Sequence, residues 1–284
     1  MARIAILTPD PGDPDFSGRW PQVFERNAEP LRRAGHDVEG RAWTEAGTLT
    51  GFDLVLPLLV WGYHRAQAQW LDRVDAWKSE GVPLGNSPSV LHWNANKAYL
   101  ARLAARGAPV VPTFYVDRVD EAALEEAAER LGSKALVAKP VVSASAFRTI
   151  RWPADSVESG PPGAAMIQPY LDSIETAGEL SLIYFEGRFS HAVRKVPRPG
   201  DFRVQPEYDG IITAHVPSAA ERVAADAVLA AVEEQLLYAR IDLVFGHDGA
   251  PVLIELEAIE PDLYLGYDPG RGAAFAAAAT ARIA

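Results

Sequence analysis

The sequence predicts an N-terminal α/β lobe with a parallel sheet, followed by two lobes of the α+β class. The first part of the chain alternates short apolar runs with segments of helical periodicity, which is typical of a parallel sheet covered by helices. The later part carries hairpin signals between isolated helices. A chain of 284 residues, 48% of them hydrophobic, exceeds the usual size of a single core. We therefore expect two or three lobes, with a boundary near residue 93.

The elements of the N-terminal lobe follow from its apolar periodicity. The predicted strands are residues 4–7, 38–43, 52–60 and 82–84, and the predicted helices are residues 20–34 and 67–79. Ligands of such sheets gather beyond the carboxyl ends of the strands, so the loops that follow the strands offer candidate contacts. These candidates are Asp10, Asp15, Arg19, Trp61, Tyr63 and His64. An ordinary surface or packing role explains each of them equally well.

The other two lobes are predicted from turn and capping signals. Ser218 followed by Glu221 has the capping-box pattern that begins a helix. The predicted helices are residues 87–106 as a helix-turn-helix, 120–131, 218–239 and 273–283, and the predicted strands are residues 135–142, 166–171, 181–185 and 189–196. This mixture is typical of α+β lobes.

Composition excludes several classes of protein. The net charge is −11 with a pI near 5.1, and no basic run could follow a phosphate backbone, so a nucleic-acid partner is not expected. The chain has no cysteine, which excludes disulfides and thiolate metal sites and fits a reducing compartment. No apolar run is long enough to cross a membrane, and the N-terminus lacks a signal-peptide pattern. We expect a cytoplasmic protein.

Two apolar runs near the C-terminus flank residues 248–249, an Asp-Gly pair that is a strong hairpin signal. With these as the two central turn residues, His247 pairs with Ala250. Counting outward along the ladder, Asp242 lies opposite Glu255. Since side chains alternate with a period of two, both carboxylates share one face of the hairpin.

Glu257 joins Glu255 on the same face, while Leu243, Ile254 and Leu256 are predicted to face the other way. Like charges directly opposite each other are destabilising, so a cation is expected between the carboxylates. Oxygen ligands on a rigid strand pair suit Mg²⁺ or Mn²⁺. The alternative is an edge hairpin with an acidic solvent face, and a register shift of one residue would separate the carboxylates.

Lys139 is a charged residue within an apolar strand, so its amine must reach an anion or extend to water. Pro140 follows it and ends regular pairing on one edge. The next segment contains Ser143 and Ser145 among small residues, and its backbone N–H groups and hydroxyls could lie over phosphates. This segment therefore indicates a candidate anion site.

Taken in order, the lysines, the linker, the arginine and the carboxylate hairpin resemble the ATP-grasp superfamily, in which two α+β lobes hold ATP between them. The resemblance covers essentially the whole chain, is most specific at residues 240–261, and implies three lobes, at residues 1–93, 94–168 and 169–284. Residues 189–205, read FSHAVRKVPRPGDFRVQ, are similar to the branch that contains ribosomal-protein glutamate ligases and the cyclo-ligase of cycloserine biosynthesis.

The resemblance implies a role for each matching residue. For ATP it implies Lys97 and Lys139 at the phosphates, Ser143 and Ser145 in the covering loop, Gln168, Tyr170 and Leu171 at adenine, and Glu179 at the ribose. For Mg²⁺ or Mn²⁺ it implies Asp242, Glu255 and Glu257, although the family commonly has asparagine at the last position. For the transferred phosphoryl group it implies Arg203 and Arg240, with Arg194 and Lys195 as further candidates. A solvated hairpin lysine is the alternative for Lys195.

The implied activity is an ADP-forming ligation. A small carboxylate substrate is phosphorylated by ATP, and an amine then displaces phosphate to give an amide. In one version both groups belong to the same molecule, and the reaction closes a ring. Two alternatives stay open, a ligase that modifies a protein terminus and a non-catalytic nucleotide-binding module. The resemblance also leaves a homodimer open, because family members often form one.

Overall fold

The computed structural model describes residues 1–144, 146–198, 204 and 210–283. These residues form three separate sheets, which agrees with the predicted mixture of one parallel and two antiparallel lobes. The lobe boundaries given above remain predictions. Among the described residues, every helix is too short or too polar to span a lipid bilayer.

The first sheet is parallel, as the alternating pattern predicts. Its strands are β1 (Arg3–Thr8), β2 (Asp37–Ala42) and β3 (Leu54–Leu56), in the order β2-β1-β3, and its helices are α1 (Trp20–Arg33) and α2 (Gln67–Glu80). Strand β3 is shorter than predicted because Pro57 has no N–H group to continue the ladder. The predicted strand at residues 82–84 is reduced to a single bridge between Val55 and Leu84.

The central sheet is antiparallel and has the order β4-β7-β5-β6. Its elements are α3 (Pro88–Asn94), α4 (Tyr99–Ala105), β4 (Phe114–Val116), α5 (Glu121–Leu131), β5 (Leu136–Pro140), β6 (Ile150–Trp152) and β7 (Ala165–Pro169). Helix α5 begins where the Asp120 side chain accepts the Ala123 N–H and ends at Gly132, whose φ is positive.

The third sheet is also antiparallel and has the order β10-β9-β8-β11-β12. Its elements are α6 (Ser173–Thr176), β8 (Glu179–Phe185), β9 (Arg188–Val196), β10 (Ile211–His215), α7 (Ala219–Ala230), β11 (Tyr238–Phe245), β12 (Pro251–Glu257) and α8 (Ala273–Ile283). Helix α8 packs on the N-terminal lobe, where Phe275 shares a core with Leu31 and Phe185. The two ends of the chain are therefore joined by one core.

The predicted helix at residues 218–239 is wrong in its second half. Its start is correct, since Ser218 and Glu221 form the capping box. The helix ends at Ala230, and residues 238–245 form a strand instead. Residues 231–237 belong to no helix or strand, and β11 begins within the predicted helix because Tyr238 and Ala239 pair with β8, which overrides their helix propensity. The short strands β4, β6 and β10 were also not predicted.

Asn86 joins the N-terminal lobe to the third sheet. Its fully buried amide donates hydrogen bonds to the carbonyls of Tyr238 (3.0 Å) and Ala258 (2.7 Å), and accepts one from the Leu237 N–H (2.8 Å). A single side chain thus satisfies three buried backbone groups, each of which is costly to leave unpaired.

We expect Asn86→Ala to lower the free energy of unfolding by about 3 kcal/mol, because it strands buried backbone groups. Denaturant unfolding measures the change. The matched control is Asn96→Ala, which removes only one exposed bond to the Ala98 N–H and should cost under about 1 kcal/mol. Equal losses in the two variants would show that Asn86 does not join the lobes.

Candidate functional site

A cleft of about 520 Å³ is lined by residues from all three lobes. Every predicted site residue that the structure describes lines this cleft, namely Lys97, Lys139, Ser143, Gln168, Tyr170, Leu171, Glu179, Lys195, Arg240, Asp242, Glu255 and Glu257. The predicted residues Ser145 and Arg203 lie outside the described residues. Folding thus brings together groups that are up to 160 positions apart in the sequence (Lys97 to Glu257).

The hairpin places Asp242 opposite Glu255, as predicted, but the turn and the pairing next to it differ from the prediction. The predicted pairing of His247 with Ala250 is wrong, because the Gly246 N–H bonds to the Ala250 carbonyl and the turn is longer. A bulge at Ile254 then restores the register. The bulge also turns Ile254 toward the cleft, which corrects its predicted position on the opposite face.

Asp242 is held by the protein's own cations. Its carboxylate accepts hydrogen bonds from Ser181 Oγ, from Arg240 Nε at 3.0 Å and from Lys195 Nζ at 3.4 Å. Burial by itself would raise the pKa of Asp242, but Arg240 and Lys195 outweigh that effect and hold the pKa well below its usual range. Asp242 is therefore ionised throughout the neutral range.

Lys195 is 4% exposed, and its amine forms ion pairs with both Glu179 and Asp242. The alternative of a solvated hairpin lysine is therefore wrong. Its neighbour Arg194 instead donates to the carbonyls of Thr176 and Ala177 at the end of α6. Of Arg194 and Lys195, it is Lys195 that lines the cleft.

Glu255 and Glu257 reach the cleft from strand β12. Glu255 pairs with Lys97 Nζ at 3.1 Å, and Lys97 also donates to the Ser143 carbonyl at 2.7 Å. Glu257 pairs with Arg240. Burial, and then repulsion from Glu255, raise the pKa of Glu257 to about 8 in spite of that arginine. Glu257 is therefore largely protonated at pH 7 unless a bound cation compensates its charge.

Lys139 has no hydrogen bond or ion pair with any of the described residues, although it lines the cleft. Burial lowers the pKa of Lys139 to about 8. An amine in this setting gains from a bound anion, which replaces the lost water and restores its charge. The amine therefore suits an anionic group such as a phosphate.

The remaining nucleotide candidates that line the cleft lie on strand β7 and directly after it. Gln168 is 2% exposed, and its Nε2 donates to Thr113 Oγ1 at 2.9 Å. The Tyr170 ring lies under the Arg151 guanidinium at 3.6 Å, and its hydroxyl donates to Glu175. These residues add a side-chain amide and an aromatic ring to the wall of the cleft.

The N-terminal lobe supplies part of the wall through Arg19, Trp61, Tyr63 and His64. The Arg19 guanidinium lies 4.9 Å from the Trp61 ring centre. Burial lowers the pKa of His64 to about 4, so the ring is neutral at pH 7. The candidates Asp10 and Asp15 do not line the cleft, and Asp15 pairs with Arg65.

Sequence reasoning missed two groups of residues at this site. Asn94 and Tyr99 hold the free edge of β12, because each side chain both donates to and accepts from its backbone. Glu260 lines the cleft beyond the hairpin. The sequence gives no distinctive signal for it, because Glu260 stands among other acidic residues, Glu257 and Asp262.

The donor set fits a hard divalent cation in part. Glu255 and Glu257 present half-buried carboxylates whose excess charge such a cation would relieve. Asp242 is turned toward Arg240 and Lys195, and among the described residues no three acidic or histidine side chains are arranged as a complete metal site. The remaining ligands must therefore come from a bound molecule, such as phosphate oxygens.

Comparison with known proteins gives consistent relatives. The family model for the N-terminal domain of D-cycloserine synthetase DcsG matches residues 4–86. The cycloserine biosynthesis protein DcsG of Streptomyces lavendulae is 30% identical over 288 residues, covering 90% of this chain and 92% of that protein.

Solved structures agree with this. The crystal structure of D-cycloserine synthetase DcsG has a TM-score of 0.83 and 26% identity, covering 99% of this chain and 100% of the other. The ATP-grasp ligase PsnB, in complex with a phosphomimetic variant of its minimal precursor, Mg and ADP, has a TM-score of 0.64 and 20% identity, covering 99% and 98%. The ATP-grasp fold predicted from the sequence is confirmed, and the chain belongs to the DcsG family of ATP-grasp ligases.

Proposed function

We propose that this protein is an ADP-forming ligase that joins a carboxylate to an amine-type nitrogen in a small, amino-acid-like metabolite. ATP phosphorylates the carboxylate, and the nitrogen then displaces phosphate to form an amide. The names of the relatives support a ring-closing version, in which both groups belong to one molecule. The carboxylate oxygen bonds to the γ-phosphorus as ADP leaves, and phosphate leaves when the carbon–nitrogen bond forms.

The observation that carries this proposal is the meeting of Lys97, Lys139, Lys195 and Arg240 with the hairpin carboxylates in one cleft. Phosphoryl transfer needs little covalent help from the protein, since it depends on positioning and on balancing charge. Four cations contributed by two different sheets and a helical segment can surround a phosphate chain. A surface patch of acidic residues would need no such arrangement.

The nucleotide is proposed to lie along the cleft from Gln168 to the hairpin. Gln168, Tyr170 and Leu171 would contact adenine, and Ser143 with Ser145 would lie over the phosphates. Glu179 is proposed to bind the ribose. Its Oε1 atom pairs with Lys195, so Oε2 would contact the ribose hydroxyls. Lys97 and Lys139 would balance the phosphate charge.

The transferred phosphoryl group is proposed to lie near Arg240 and Lys195, with Arg203 approaching from the segment outside the described residues. Glu255 and Glu257 would hold Mg²⁺ or Mn²⁺. Asp242 would contribute less to binding the ion, because it already pairs with Arg240 and Lys195. When bound, such an ion supplies positive charge to the phosphate oxygens. Closing the cleft would exclude water that otherwise hydrolyses the acyl phosphate.

The setting of the reaction follows from composition. An acidic chain without cysteine suits a cytoplasmic enzyme acting on small molecules rather than on nucleic acid. A homodimer is proposed because ligases of this family often form one. The lobe boundaries are proposed to lie after residues 93 and 168.

The nucleotide product tests the reaction type. With ATP, Mg²⁺ and a panel of amino-acid-like carboxylates, we expect ADP and phosphate, since the carboxylate attacks the γ-phosphorus. Anion-exchange chromatography separates ADP from AMP, and hydroxylamine traps the acyl phosphate as a hydroxamate. Formation of AMP and pyrophosphate would contradict the proposed route.

Glu255→Gln tests the metal-binding role of the hairpin. For the unmodified protein we expect Mg²⁺ to tighten ADP binding at least about tenfold, because the ion bridges carboxylate and phosphate oxygens. For Glu255→Gln the gain should fall below about twofold. Calorimetry with and without Mg²⁺ measures both. Asp248→Asn, in the exposed turn of the same hairpin, is the control and should keep the full gain.

Lys139 should make Mg²⁺-free ADP binding depend on pH. Its lowered pKa of about 8 means that the amine is charged at pH 7 and mostly neutral at pH 9. Binding the anion then requires proton uptake, so affinity should fall about tenfold between pH 7 and pH 9. Lys139→Arg, which stays charged, should weaken this pH dependence in calorimetric titrations with EDTA and leave only the part that comes from Glu257, whose pKa is also about 8. A flat profile in the unmodified protein would contradict the assignment.

A further inference from the structure

Glu260 is a carboxyl group that the reaction described above does not use. It lines the cleft just beyond the hairpin. Its Oε2 atom is shielded from solvent and has no hydrogen-bond partner among the described residues. A buried carboxyl oxygen without a partner is costly, and a native structure that retains one at a binding cleft usually has a use for it.

The cations nearest to Glu260 are already engaged. Arg240 pairs with Asp242 and Glu257, and Lys97 pairs with Glu255. The Arg19 guanidinium lies against the Trp61 ring. Burial, and then the Glu257 carboxylate, raise the pKa of Glu260 well above its usual value in spite of these cations. The position therefore lacks a positive group of its own.

The surroundings of Glu260 favour an organic cation over a second metal ion. Burial, and then the Glu260 carboxylate, raise the pKa of the Tyr63 hydroxyl well above its usual value, so the Tyr63 ring lies near Glu260, and aromatic faces attract organic cations. A divalent metal needs several oxygen ligands, and the neighbouring carboxylate, Glu257, is already assigned to the metal ion at the phosphates. A primary ammonium needs only a few acceptors and fits between a carboxylate and an aromatic ring.

We propose that Glu260 binds the ammonium group of the substrate and selects amine-bearing carboxylates over their deaminated analogues. This inference rests on the proposed function, since it assumes a carboxylate substrate beside the nucleotide. The ammonium bound here stays intact through the reaction, and Glu260 orients the substrate with its carboxylate toward the phosphates. Glu260 is thus a specificity-determining residue.

Paired probes test the inference by calorimetry, in the presence of a non-hydrolysable ATP analogue and Mg²⁺. The amine-bearing probes are the two enantiomers of alanine, the two enantiomers of serine, and D-cycloserine. Their deaminated partners are propanoate, 3-hydroxypropanoate and isoxazolidin-3-one. For at least one pair we expect the unmodified protein to bind the amine at least about tenfold more tightly, because a charge-assisted hydrogen bond to a buried carboxylate forms only with the amine.

Glu260→Gln should reduce that preference to below about twofold while leaving affinity for the ATP analogue within about twofold. Glu260→Asp keeps the charge on a shorter stem and should retain a reduced preference. The matched control is Glu234→Gln, because Glu234 also has a buried oxygen without a described partner but does not line the cleft. This control should keep the full preference.

The outcomes separate the two proposals. No preference in the unmodified protein for any pair, a preference kept in Glu260→Gln, or a preference lost equally in Glu234→Gln would each overturn the role of Glu260. Failure of the unmodified protein to bind the ATP analogue would instead overturn the proposed ligase function. If Glu260→Gln no longer binds the ATP analogue, the test uses Glu260→Asp instead. An undiminished preference of that variant for the amine-bearing probes would count against the proposal.

Discussion

A continuous chain of buried ion pairs is the constraint on which this site depends. It runs from Glu179 through Lys195, Asp242 and Arg240 to Glu257. Buried charges carry a large desolvation cost, so each member is tolerable only because its neighbours remain in place. Breaking one link would strand a charge, which typically costs about 3–5 kcal/mol. The chain therefore fixes the relative positions of strands β8, β9, β11 and β12 where they meet the cleft.

Strand β12 is held from its other side by polar groups rather than by another strand. It lies at the edge of its sheet, where backbone groups are left without a ladder partner. Asn94 and Tyr99 satisfy the groups of Leu256 and Ala258, and the Leu253 N–H bonds to the Pro109 carbonyl. The helices α3 and α4 thus position the strand that carries Glu255 and Glu257.

Charge balance in the cleft connects the fold to the chemistry. The protein's own cations neutralise Asp242 almost completely, whereas Glu257, Glu260 and Lys139 remain under-compensated. A nucleotide with its metal ion, together with a substrate that carries an ammonium group, would supply the missing charges of both signs. The cleft is in this sense preorganised for ligands that are themselves strongly charged.

Local patterns were enough to predict much of the site. Lys139 was identified because a lone amine in an apolar strand needs an anion, and the pairing of Asp242 with Glu255 followed from alternation around a turn. That second prediction was correct although the turn was misread, because the bulge at Ile254 compensates for the longer loop. A bulge depends on the partner strand and leaves little trace in a single sequence.

By itself the sequence determined the order of the lobes, the parallel start, the acidic hairpin and the candidate residues, because these depend on local periodicity and on residue type. Only the tertiary structure decided that α7 ends at Ala230 and that β11 begins at Tyr238, since pairing with β8 outweighs the helix propensity of residues 238–239. It also decided which charges pair. Contacts between residues distant in the sequence make Lys195 a buried partner of Asp242, 47 positions away, and leave the Oε2 atom of Glu260 without a partner among the described residues.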